Sequence, residues 1–280
     1  MKVARAGTAS PLAHPIDLTA SWNASDADLA DRFDPLYRQA LPRLPDGDRV
    51  FRGLPFRLGS RSAGRRWLLI DRPVTVDLRG HGPASHLVVA HFADSSRTAA
   101  GGRPPGTPVG WVLPIGEVLA RYELVAADGS CRVVDIRRRF EVNDGIIGWG
   151  SLPFAALGHR SDAVIDWRGP LPPQGTGRYA SAGNAGPLTM LPGAWGPAQT
   201  GVADFVPTAD DEATYWLHAI ALEPGVELTE VRFAPATGGG PGSDVVVAGL
   251  TLFAGTADPL VLGSRRQFVV EGAGAAWSSK

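Results

Sequence analysis

"YELVAADGSCRVVDIRRRFEVNDGIIGWG", residues 122–150, decides the fold class. Its first part alternates with a period of two, the signature of a strand with one buried face. Ala120, Tyr122, Leu124 and Ala126 share one face, and Arg121 and Glu123 share the other. Asp128-Gly129 then interrupts the pattern with the residue types of a type I′ hairpin turn, in which both central residues take positive φ. On the return, Val134, Ile136, Arg138 and Phe140 fall inward, while Val133, Asp135, Arg137 and Arg139 fall outward. A slip of one residue would invert every assignment, so the apolar set selects the register.

Arg138 is the exception on the inward face. A buried guanidinium requires carboxylates or several carbonyls around it. Asp144 and Asp166 are the partners the sequence offers, in a structural ion pair at the sheet end or in an anchor for a ligand. Beyond the hairpin, "NDGIIGWG" allows a sharp turn at Asp144-Gly145 and close backbone approach at Gly148 and Gly150. It also places Trp149 where a strand runs out.

Working outward, the same kind of signal recurs. "VFRGLPFRL", "RWLLI", "VTVDL", "HLVVAHF", "GWVL" and "EVLARYELVAA" precede the turn. "TYWLHAIAL", "VELTEVRFA", "DVVVAGLTLF" and "RRQFVVEG" follow a long gap. Short β-branched and aromatic runs separated by Gly, Pro, Asp and Ser predict an all-β, antiparallel sandwich. One segment reads as helix: in "NASDADLADRFDPLYRQAL", Ser25 and Asp28 have capping-box spacing, and Pro35 ends or kinks the helix. Residues 168–213 show no convincing alternation and are expected to form a long irregular loop, a length often tied to function. With Trp149 and Trp167, its Tyr179 and Trp195 supply four aromatics that could gather at one end of the sandwich, either plugging the core or stacking on a sugar ring. Asp144, Asp166, Arg168 and Arg138 would add the hydrogen bonds. The division expected is a lead-in over 1–47, one large sandwich over 48–271 and a flexible tail over 272–280.

Composition bounds the function. The 280 residues carry 27 basic and 28 acidic side chains, a net charge of −1 that makes no field for nucleic acid or anionic membrane. No apolar stretch reaches the roughly 18 residues of a membrane span, and no signal-peptide core precedes the domain. The single cysteine, Cys131, forms no internal disulfide. These features suggest a cytoplasmic chain, and arginine in place of lysine, with abundant Ala, Gly and Pro, suggests a bacterial one.

Catalytic signatures are scarce. "HGPASHLVVAH" holds three of the six histidines, but His86 and His91 are five apart on a strand and point to opposite faces. His91 and His218 sit in apolar runs and read as hydrogen-bonded core residues. There is no His-x-His pair and no Gly-x-Ser-x-Gly elbow. "TGGGPGS", residues 237–243, lies between strands, whereas a phosphate loop needs a following helix. The residues therefore nominate no catalytic group, metal ligand or cofactor.

The order of four blocks adds a resemblance. "DRVFRGLPFRLG", "ASHLVVAHFA", "LARYELVAADGSCRVVDIRRRFEVNDGIIGW" and "TYWLHAIALEPGVELTEVRFAPA…DVVVAGLTLF" resemble the galactose-binding-like (jelly-roll) sandwich modules attached to bacterial glycoside-active and hydrolytic enzymes. The likeness spans roughly residues 48–254, and "PIDLTASWNAS" is similar to their lead-in. "RGLPFRLG" is also similar to the N-terminal region of bacterial metal-dependent hydrolases of the carbaryl-hydrolase type. A polymerase-and-histidinol-phosphatase-like domain follows in those enzymes; its opening His-x-His motif is missing here. The resemblance implies a non-catalytic accessory module that binds a carbohydrate or small polar ligand and works beside a hydrolase domain or partner protein. The alternatives are the N-terminal part, or a stand-alone relative, of such a hydrolase, and a structural module for oligomerisation.

Overall fold

The structure is a computed structural model that describes residues 9–35, 37–94, 115–146, 153–159, 213–236 and 244–260. Antiparallel sheets dominate them. The strands are β1 (Ala13–Pro15), β2 (Asp48–Phe51), β3 (Leu54–Arg57), β4 (Leu68–Leu69), β5 (Val74–Asp77) and β6 (His86–Asp94). They continue with β7 (Val118–Ala126), β8 (Cys131–Arg137), β9 (Leu157–Gly158), β10 (Trp216–Ala221), β11 (Leu228–Pro235) and β12 (Asp244–Phe253). A six-stranded sheet has the order β1-β12-β6-β10-β9, with β4 also on β12; a four-stranded sheet runs β5-β11-β7-β8. The expected strands at 110–113 and 265–272 lie outside the described residues.

The four-stranded sheet behaves as the alternation predicts. Tyr122, Leu124, Ile136, Val231 and Phe233 are buried against the larger sheet. The opposite face carries a ladder of ion pairs, Arg121–Asp135 at 3.0 Å, Arg232–Glu123 at 3.3 Å and Arg79–Asp77 at 2.7 Å. Such exposed pairs are screened by water, add little to stability and keep the face solvated.

The six-stranded sheet is different, because both of its faces are covered. Every residue of β6 is buried, as are nine of the ten in β12. Leu87 and Val89 face the smaller sheet, whereas Val88, Ala90 and Phe92 face a third layer. That layer is made of α1 (Asp26–Arg32), α2 (Tyr37–Ala40) and the β2–β3 hairpin, contributing Leu29, Phe33, Tyr37, Phe51 and Phe56. A bulge between Val247 and Gly249 lets β12 serve both layers. Val245 and Val247 face the smaller sheet before it, and Leu250 and Leu252 do so after it. A side chain at Gly249 would press on Leu58 at 3.0 Å and Phe56 at 3.2 Å, so the hairpin packs directly on the backbone there.

The expected capping box at α1 is present. Ser25 Oγ accepts from the Asp28 N–H at 3.1 Å, and Asp28 Oδ2 accepts from the Ser25 N–H at 2.8 Å. Two turn assignments are corrected. Residues 50–58 are a hairpin, not one strand, with Arg52 (φ 51°) and Gly53 (φ 82°) in the left-handed region between Phe51 and Leu54. The Asp128-Gly129 turn has positive φ only at Gly129. The Gly129 N–H donates to the Ala126 carbonyl at 2.9 Å, and the Ala126 N–H to the Ser130 carbonyl at 2.9 Å. This is a three-residue loop ending in a left-handed glycine. Asp128 Oδ1 accepts from Ser130 N at 2.9 Å, which favours the helical geometry at Asp128 over the left-handed one.

Candidate functional site

At the end of β8 the chain turns sharply and crosses from the smaller sheet to the larger one. The Phe140 N–H donates to the Arg137 carbonyl at 3.1 Å, and the Arg139 N–H to the Val142 carbonyl at 2.7 Å. Arg139 takes φ 61°, uncommon for a residue with a side chain. Residues 143–145 then run parallel to the end of β6: the Ala93 N–H donates to the Asn143 carbonyl at 2.9 Å, and the Gly145 N–H to the Ala93 carbonyl at 3.0 Å. Gly145 sits at a bend and is also closely packed: a Cβ there would meet Phe92 and the Tyr37 hydroxyl, both at 3.0 Å.

The crossing is held by buried polar groups from four elements. Tyr37 Oη donates to the Ala93 carbonyl at 2.8 Å and accepts from the Gly145 N–H at 2.8 Å. Burial pushes its phenol well above the usual tyrosine range, so it stays protonated. Trp216 Nε1 donates to the Asp144 carbonyl at 2.8 Å. His91 Nε2 lies 2.8 Å from the Glu141 carbonyl, and its Nδ1 lies 2.8 Å from Tyr122 Oη. A carbonyl only accepts, so Nε2 carries the proton and Tyr122 donates to Nδ1. Burial lowers the His91 pKa to about 3, as a neutral ring with both nitrogens satisfied requires.

Arg138 is inward, with a side chain 2% exposed, and it is paired with carboxylates. Its Nη2 donates to Glu117 Oε2 at 2.8 Å, and Nη1 lies 3.7 Å from Asp144 Oδ1. Asp144 was among the partners expected and Glu117 was not. The hairpin register contains the signal for it, since the Arg138 N–H donates to the Glu117 carbonyl at 2.8 Å, directly across the ladder. Asp166, Arg168, Trp149, Trp167, Tyr179 and Trp195 lie outside the described residues.

An aromatic face not anticipated from the sequence forms over the turn. Phe140 is only partly buried, where alternation placed it inward with Arg138, because the strand ends at Arg137. Its ring lies 5.3 Å from that of Phe154, which is 67% exposed. Phe154 is positioned by main-chain bonds: its N–H donates to the Arg139 carbonyl at 2.8 Å and the Ala155 N–H to the Phe140 carbonyl at 2.9 Å. The Arg137 guanidinium sits 4.5 Å from the Phe140 ring centre and that of Arg139 5.6 Å from Phe154. Arg137 also makes a bidentate pair with the buried Glu141 carboxylate, at 3.0 and 2.5 Å. A side chain at Gly116, next to exposed Ile115 in the chain, would meet the Phe140 ring at 3.7 Å.

Among the described residues, no group of three or more His, Cys, Asp or Glu side chains is arranged to hold a metal ion. No described helix is long and apolar enough to cross a membrane. Compared with known proteins, the chain matches no family model, no curated protein and no solved structure.

Proposed function

We propose that this chain is a non-catalytic, galactose-binding-like sandwich module that binds carbohydrate as an accessory to a bacterial hydrolytic system. The exposed Phe154 ring beside Phe140 carries the proposal. A large apolar ring held in the open beside a second ring, with a guanidinium near each, offers a flat apolar surface with a polar rim that a ligand can cover. A pyranose has an apolar C–H face that stacks on such a ring and hydroxyls that reach the polar rim. In this view Arg138, Glu117 and Asp144 set the turn that presents the rings, and do not touch the ligand. The order of the sequence blocks that resemble enzyme-attached sandwich modules supports the accessory role.

Glycan-array screening of the purified chain, followed by calorimetry on the best ligand, tests it. Phe154→Ala is expected to weaken binding about tenfold or more, the size of a lost aromatic anchor. Its melting temperature should barely move, because the ring is exposed. Binding indifferent to Phe154 and Phe140 would remove the proposal. A discrete oligomer that binds no glycan would favour the structural-module alternative instead.

A further inference from the structure

His218 lies on β10, one strand over from His91, and its two nitrogens have different fates. Nδ1 lies 2.8 Å from the Ala155 carbonyl, so Nδ1 carries the proton and Nε2 keeps the lone pair. Among the described residues nothing bonds Nε2, and the ring is half-buried rather than sealed. Ala155 follows Phe154 directly, so His218 is fastened one residue from the exposed ring. Two ties bound this edge of the sandwich. Arg132 Nη1 donates to the Ala221 carbonyl at 2.5 Å at one end, and the Phe140–Ala155 main-chain bond closes the other. His218 lies between them along β10.

Resting on the binding function proposed above, we infer that His218 is a specificity-determining residue of this face: Nε2 accepts a hydrogen bond from a hydroxyl of an uncharged saccharide stacked on Phe154. The charge pattern argues for an uncharged ligand. The Arg137 cation is compensated by the bidentate Glu141 carboxylate, and Arg139 lies 5.6 Å from the Phe154 ring centre and has further partners. The imidazole offers an acceptor, which suits a hydroxyl and repels a carboxylate. The charged and titratable groups that bear on His218 are Glu141, Asp258, Arg137 and the neutral His91 ring, stacked at 6.5 Å. Burial lowers the His218 pKa from its ordinary 6.5, so the acceptor is intact at neutral pH and is lost on acidification below that value.

Calorimetry from pH 8 to pH 5 tests this with neutral hexasaccharides of gluco, manno, xylo and galacto configuration and with hexagalacturonic acid. A neutral hexasaccharide should bind best and weaken on acidification, by about five- to tenfold once His218 is protonated, the size of one lost hydrogen bond. His218→Phe should show that loss at every pH. His218→Gln keeps an acceptor near Nε2 and should keep most of the affinity while losing the pH dependence; thermal melts verify that both variants fold. Affinity flat with pH and unchanged in His218→Phe, while Phe154→Ala still abolishes binding, would overturn the role of His218 and leave the binding function standing. Preference for hexagalacturonic acid would overturn the ligand class. Failure of every probe to bind would remove both proposals together.

Discussion

The Tyr122 hydroxyl donates to Nδ1 of His91 across the gap between the two sheets, at 2.8 Å, and so fixes a neutral imidazole in the middle of the core. Folding depresses the His91 pKa from 6.5 to about 3, meaning that the folded state binds a proton less readily than the unfolded chain. The stabilisation is therefore complete above about pH 6.5 and is lost as the pH falls toward 3, at about 1.4 kcal/mol per pH unit. Urea unfolding at pH 7, 5 and 4 should show this slope. His91→Gln can still donate and accept but does not titrate. Its stability should fall less steeply than wild type by about one proton, and equal slopes would refute the assignment.

Arg138→Met should destabilise the chain by about 3–5 kcal/mol, because it leaves the buried Asp144 carboxylate and the half-buried Glu117 without their cation. Adding Asp144→Asn should recover part of the loss. A denaturation midpoint unchanged in Arg138→Met would contradict the inward register of β8.

Gly145→Ala places a methyl group 3.0 Å from both Phe92 and Tyr37 Oη. Overpacking of this kind costs about 1–3 kcal/mol. Tyr37→Phe removes one of the two atoms at 3.0 Å together with the bonds to Ala93 and Gly145. The double variant should therefore lose less than the two single changes added, and strict additivity in chemical denaturation would show that the groups do not meet.

Gly129→Ala should cost about 1 kcal/mol or more, since Gly129 alone in its turn has φ near 84°. Asp128→Gly should also destabilise, by removing the carboxylate that accepts from Ser130. A type I′ turn would instead tolerate glycine at that position, so a gain in stability from Asp128→Gly would restore the original turn assignment.

How much of this was legible depends on how each strand is solvated. β7 and β8 show their faces in the sequence because one side meets water and Arg121, Glu123 and Asp135 mark it. β6 has no such marker: Phe92 and Val89 are both buried, on opposite faces, so the run identifies a strand and hides the layer above it. Of the covering helices, α1 was visible through Ser25 and Asp28, but nothing local says which sheet it covers. For the candidate site, Arg138 and Asp144 followed from parity, and Glu117 was reachable by counting along the hairpin. Phe154 was not legible, because it lies in an irregular segment with no periodicity and owes its position to main-chain bonds from Arg139 and Phe140.

The pairing of β6 with β12, His91 opposite Val247, has a consequence for how the chain is made. β6 leaves the ribosome about 150 residues before β12, the strand that covers its longest edge. At a synthesis rate of roughly 5–20 residues per second, this wholly buried strand waits on the order of ten to thirty seconds for its partner. The third layer shortens that exposure in one respect: Phe33 and Tyr37 are already synthesised and can shelter Phe92 early. The helices at the start of the chain would then act as an internal chaperone for the strand at its centre, before they become part of the finished wall.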